Sequence, residues 1–300
     1  MAREPGRLGC ALEAVERQEP LIGTASRVRR WLVVEQPGPW GSDAVSESYL
    51  PDSVAQAITT NAAAHDARVL LARQLGADRT GPSSVFLVRS DRVHRWIEHL
   101  RIDDPEELAA LDLSVLGGDE PPGIGRPGPA NLALVCTNGR HDPCCADLGR
   151  PVVRALRDAG VDVWESSHVG GDRFAANIVC LPTGVYFGRV VPEAAERILR
   201  DHEAGLLDLD RYRGRSCYPP LMQAAEIFVR RELGERRLDA LSFATATVGR
   251  AEARVVLVHS DGRVARVRVR RERGAPEALT CGDLKESRPW HHRLVSLDVS

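Results

Sequence analysis

The sequence predicts an α/β protein built of two similar halves and a smaller α+β extension, and three observations predict it. Short, continuous apolar runs of strand length alternate with stretches of helical period, twice over. A segment dense in Gly and Pro, GGDEPPGIGRPGP at 117–129, has no hydrophobic period and separates the two alternations. Beyond residue 240, β-branched runs follow one another, with an Asp261-Gly262 hairpin turn between the last two. At 300 residues the chain is also longer than one small core requires.

The first half opens with CALEAVERQEP, which reads as a short helix. WLVVEQ (31–36) is a buried strand stopped by PGPWG (37–41). The Ala-rich stretch 51–75 carries Leu and Val at helical spacing and predicts one long helix. SSVFLVRS (83–90) and RVHRWIEHLRI (92–102) read as strands. DDPEELAALDL (103–113) reads as a helix with Pro105 in its first turn. The order is β-α-β-β-α.

The second half reads the same way. LALVCT (132–137) is a buried strand, and 147–159 is an amphipathic helix ended by Gly160. VDVWES (161–166) is a strand, AANIVCLP and GVYFGRV form a hairpin, and Pro192 starts a helix to about residue 203. A β-α-β-β-α order is the core of a thioredoxin-like fold. LDLDRYRGRSCYPP (207–220) follows, its arginines and tyrosines suited either to anion binding or to packing. A helix at 221–233 leads to strands LSFATATV, ARVVLVHS and GRVARVRVR, and 274–300 reads as an irregular tail. The expected division is 1–118, a linker at 119–129, a thioredoxin-like domain at 130–205, and the extension at 206–300.

A hydrophobic content of 43%, a charged content of 27% and a formal charge of −2 describe an ordinary globular chain. They give no reason to expect nucleic acid or a membrane as partner. The N-terminus lacks an apolar core of signal-peptide length, and no run reaches the roughly 18–20 apolar residues of a membrane helix. The expected setting is the cytoplasm, where seven cysteines are not a disulfide framework. Clustered cysteines there point to metal or redox chemistry.

The clustering is in CTNGRHDPCC. Cys136 ends a strand, and eight residues separate it from Cys145 at the start of a helix, which brings both thiols to one end of the sheet. The next strand ends in SSHVGGDRFAAN, where two glycines allow the positive φ that turns His168 and Asp172 toward one cavity. Two ligands from each of two loops suit a binuclear iron cluster, and imidazole in place of thiolate raises its potential. Arg173 and Asn177 are candidates to fix the glycine loop by hydrogen bonds. Cys10, Cys180 and Cys217 read as small buried apolar residues, Cys281 as a tail thiol, and His141 as a solvent-facing loop histidine.

On WLVVEQPGPWG, LVCTNGRHDPCCADLGRP, ESSHVGGDRFAANIVCLP with GVYFGRV, and YRGRSCYPPLMQAAE, the chain resembles the sucrase/ferredoxin-like family over most of 10–226. The resemblance implies a thioredoxin-like ferredoxin with a [2Fe–2S] cluster bound by two cysteines and two histidines, the latter in a His-x-Gly-Gly-His motif. Matched by position, Cys136, Cys145 and His168 are three of these ligands. Asp172 stands where the motif has its second histidine, so the fourth ligand is Asp172 or, alternatively, Cys144. Sugar hydrolysis is not expected, because the acidic residues sit on presumed helix faces and caps rather than as a facing pair.

The expected function is therefore one-electron transfer to a redox partner protein, with no intrinsic turnover; no nucleotide-binding glycine motif is present. Two alternatives stay open. One is a thiol-based redox enzyme or sensor using Cys136, Cys144 and Cys145, against which the lack of a Cys-x-x-Cys counts. The other is a structural zinc site at the same ligands.

Overall fold

The computed structural model describes residues 9–74, 81–283 and 285–300. After α1 (Cys10–Glu16) the first half runs β1 (Arg30–Glu35), α2 (Asp52–Ala64), β2 (Ala67–Arg73), β3 (Ser83–Ser90), β4 (Arg95–Ile102) and α3 (Glu106–Ala109). The second half, after the two-residue β5 (Arg126–Pro127), runs β6 (Leu132–Cys136), α4 (Pro143–Asp158), β7 (Trp164–Ser166), β8 (Ile178–Leu181), β9 (Val185–Phe187) and α5 (Pro192–Glu203). The fold is α/β.

Each half has the order β-α-β-β-β-α: the second half holds the four strands and two helices named from the sequence, while the first has one strand more than the β-α-β-β-α expected of it. In the first half the added strand is β2, inside the stretch 51–75 expected as one helix. That helix stops at Ala64, and Asp66 turns the chain with a φ of 51°. Asp tolerates this left-handed geometry better than most residues. ARVLLAR then pairs in parallel with β1, Arg30 to Ala67 through Glu35 to Ala72. An Ala-rich helix running directly into a short apolar strand offers no Gly or Pro to mark the break.

The two halves share one pairing pattern. β1 lies parallel to β2 and antiparallel to β3, which pairs with β4; β6 lies parallel to β7 and antiparallel to β8, which pairs with β9. β2 and β7 pair antiparallel, Ala72 with Ser166 and Arg73 with Glu165, so one ten-stranded sheet crosses both halves. Segment 119–129 is docked along its edge: β5 pairs with β4, and the Glu98 carboxylate accepts N–H bonds from Gly123 and Gly125. Alternate residues of β1 explain its apolar run, since Trp31 and Val33 enter one core layer and Leu32 and Val34 the other.

β10 (Tyr212–Arg215) closes the sheet beside β9 and leads into α6 (Pro220–Leu233). β11 (Leu241–Val248), β12 (Glu252–His259), β13 (Val264–Arg273) and β14 (Trp290–Val299) form a second, antiparallel sheet in chain order. Its inner face, Ala253, Val255, Leu257, Ala265, Val267 and Val269, joins α6 in one core with the second half. β14 lies in the tail expected to be irregular. It is an edge strand whose Leu294 and Val295 remain exposed, so its residues lack a buried apolar stripe. Among the described residues no helix is long and apolar enough to cross a membrane.

Candidate metal centre

β6 delivers Cys136 at its last residue, and the chain then loops into α4. Asn138 Oδ1 accepts the N–H groups of Arg140 and His141, and Asp142 caps the helix by accepting the Cys144 N–H at 2.8 Å. Cys145 therefore sits in the first turn of α4, fully buried, as is Cys136. The helix can approach so closely because residue 149 is glycine: a Cβ there would stand 2.2 Å from the Cys136 carbonyl oxygen.

The second loop follows β7. Gly170 and Gly171 take φ values of 103° and 84°, which only glycine adopts without strain, and they turn Asp172 inward to 4% exposure. The Cys145 thiol donates to Asp172 Oδ1 at 3.1 Å, and His168 Nδ1 lies 2.8 Å from the same oxygen. His141 stacks on His168 with ring centroids 3.8 Å apart, its Nε2 3.7 Å from Asp172 Oδ2. The donors fall into two overlapping groups that share His168: Cys136, Cys145 and His168, and His141, His168 and Asp172. The thiols are sealed, whereas His168 and His141 are 22% and 32% exposed and face a surface cleft beside Arg68 and Ser42.

The loop is held from every side. Buried Arg213 donates to the carbonyls of Gly170 (3.0 Å) and Thr24 (2.6 Å) and to Asn177 Oδ1 (2.7 Å), and Asn177 in turn donates to the Gly171 carbonyl at 2.8 Å. Burial lowers the Arg213 pKa to about 10, leaving it charged at neutral pH. From the first half, Arg68 donates to the carbonyls of His168 and Val169, and Asn138 reaches the Gly41 carbonyl of the PGPWG loop.

The electrostatics suit a thiolate. The hydrogen bond from Cys145, then that from His168, holds the Cys136 thiol well below its ordinary range, against the opposing effect of burial. Burial would push His168 down, yet the neighbouring Asp172 carboxylate and Cys136 sulfur outweigh it and lift the imidazole to about 9. Burial would likewise raise Asp172, but His168 keeps its carboxyl below the usual range.

Of the residues expected from the sequence, Cys136, Cys145, His168 and Asp172 come together here. Asn177 holds the glycine loop. Arg173 points elsewhere: its Nε pairs with Glu19 at 2.7 Å and its guanidinium lies over Phe174. Cys144, the alternative fourth ligand, groups instead with Cys10, Asp142 and Cys281. His141, expected to face solvent, is part of the donor array. Arg213 belongs to the RYRGRSCYPP segment, of whose three arginines Arg213 and Arg215 are buried in packing rather than presented to an anion. The donor set fits a metal centre on one further observation: His168 Nδ1 is buried and has no hydrogen-bond partner in alignment, although a carboxylate oxygen is close by.

The family model described as sucrase/ferredoxin-like matches residues 21–214. Altered inheritance of mitochondria protein 32 of Debaryomyces hansenii is 31% identical over 86 residues, covering 25% of this chain and 32% of that protein. The match thus spans about a third of the curated relative's length. No solved structure matches.

Proposed function

Since the chain belongs to the sucrase/ferredoxin-like family, we propose that Cys136, Cys145, His168 and Asp172 hold a [2Fe–2S] cluster and that the protein is a one-electron carrier. The observation that carries this reading is the extended donor array: two buried thiols at one end, nitrogen and oxygen donors at the other, with His168 common to both groups. Such a cluster, when bound, supplies a one-electron couple whose potential imidazole ligation raises. Cys136, held toward its thiolate, and Cys145 serve as the sulfur ligands. Arg213, Asn177 and Arg68 fix the loop that presents His168 and Asp172. The half-exposed histidine edge is the natural exit for an electron, so a redox partner protein docks over the cleft bordered by Ser42 and Arg68. The first half acts as a scaffold that braces both loops. The proposed setting is the cytosol, where thiols stay reduced.

Zinc is the second reading, favoured because the donor atoms of Cys136, Cys145 and His168 all lie within 4.8 Å of one another. Anaerobic purification separates the two. The cluster predicts red-brown protein with near-equal iron and acid-labile sulfide and a rhombic electron-spin signal on reduction. Colourless protein whose zinc is lost on Cys136→Ser would establish the second reading instead.

A further inference from the structure

A second group of donors stands on the other side of the first turn of α4. Cys10 from α1, Asp142 and Cys144 from the start of α4, and Cys281 from the chain before β14 bring their ligand atoms within 4.8 Å of one another. All four residues are buried, with exposures of 1%, 0%, 2% and 8%. We propose that these four residues form a closed zinc site, distinct from the first centre, that clamps the two ends of the chain onto α4.

Three features argue for one tetrahedral ion. The Cys144 and Cys281 sulfurs are 3.5 Å apart. That is well beyond the ~2.05 Å of a disulfide and near the edge of about 3.8 Å that a tetrahedron with ~2.3 Å Zn–S bonds requires. The carboxylate is aimed: Asp142 Oδ1 accepts the Cys144 N–H at 2.8 Å and Oδ2 accepts the Cys281 N–H at 2.7 Å, leaving both oxygens 3.5–3.7 Å from Cys10 Sγ. The donors also converge without a competing cation, since among the described residues no basic side chain pairs with the fully buried Asp142.

Nuclearity separates this site from the first. There the donors spread over two overlapping groups, whereas here four donors share one coordination sphere with no position left open, the arrangement of structural zinc. The Cys10 N–H points at Cys281 Sγ at 3.4 Å, a contact that steadies a metal-bound thiolate. The three segments joined are far apart in sequence, so occupancy resists fraying of α1 and of the chain before β14.

The test is metal content of the full chain expressed with zinc and iron. About one zinc per chain is expected. Cys10→Ser and Cys281→Ser should each cut that at least tenfold while iron and sulfide stay unchanged, and Cys136→Ser should lose iron but keep zinc. Cobalt(II) added to metal-free Cys136→Ser protein should give intense thiolate charge-transfer and tetrahedral ligand-field bands at about one equivalent. This measurement leaves Cys10 and Cys281 in place, so it does not depend on the folding of Cys10→Ser or Cys281→Ser. Wild type without zinc, zinc retained in both serine variants, cobalt bands absent, or a Cys144–Cys281 disulfide in freshly isolated protein would each overturn the proposal.

Discussion

Cys144 and Cys145 are adjacent in the chain, yet their thiols enter different clusters: Cys145 Sγ lies 3.1 Å from Asp172 Oδ1, and Cys144 Sγ 3.5 Å from Cys281 Sγ. The helical turn directs neighbouring side chains about 100° apart, so one turn of α4 serves both groups. A vicinal disulfide would require both sulfurs on one side. The same geometry groups Cys144 away from the first site, where Asp172 and His141 lie beside His168.

The fourth donor is open to a simple series. Asp172→Ala should abolish or strongly alter the visible and electron-spin spectra, while His141→Ala should leave a cluster of unchanged stoichiometry. Asp172→His, which recreates the family motif, should retain the cluster. Exchange of an anionic for a neutral ligand should raise its potential by on the order of 100 mV, read by dye-mediated titration. Unaltered spectra in Asp172→Ala would remove that residue from the ligand set.

Gly149→Ala should be poorly tolerated. The added methyl meets the Cys136 carbonyl oxygen at 2.2 Å, so α4 must move away from β6. A cost of about 1–3 kcal/mol follows for overpacking of this kind, visible as a lower midpoint in urea. Because the displacement separates Cys145 from Cys136, the iron content should fall as well.

Arg213→Ala should loosen the glycine loop. Its guanidinium holds the Gly170 and Thr24 carbonyls and Asn177, and hydrogen bonds to charged groups are worth ~1.5–3 kcal/mol each before non-additivity. The expected result is a stability loss of roughly 3 kcal/mol or more, together with faster iron release to a chelator. Chelation as slow as in the wild type would dissociate Arg213 from the site.

His202 predicts a pH dependence. It is buried in α5, with Nε2 3.1 Å from Thr183 Oγ1 and its ring edge-on to Phe187. Burial, reinforced by Arg215 and Arg95, lowers its pKa from 6.5 to about 4. Between those values the unfolded chain binds the proton and the native chain does not, so stability falls as pH falls through that window. The full loss is ~3 kcal/mol. His202→Gln should flatten the difference in melting temperature between pH 7 and pH 4 relative to the wild type; a parallel profile would assign the acid sensitivity elsewhere.

Much of the architecture was legible because it is local. The apolar run of β1, the Pro192 start of α5 and the Asp261-Gly262 turn are written in periods and turn residues that neighbouring backbone enforces. Strand β2 and strand β14 were not legible. The first has no breaker before it, and the second is an edge whose partner lies on β13, so neither carries the pattern of a buried strand. The pairing of β2 with β7, which turns two halves into one sheet, involves two residues on each side and leaves no sequence signature.

The candidate site divides the same way. Cys136, Cys145 and His168 were named as candidates from the sequence, with the fourth place open between Asp172 and Cys144, since each pair is set by a short loop whose strand end, cap and glycines fix its direction. What only the tertiary structure decided is everything that depends on distant segments meeting. It brought His141 onto His168, drew Arg213 and Arg68 to the glycine loop, and turned Arg173 to Glu19. It also converted three thiols that look incidental in sequence, Cys10, Cys144 and Cys281, into one buried group with Asp142. Side-chain convergence across more than a hundred residues follows from packing, which minimises exposed apolar surface globally and is not encoded in any local spacing.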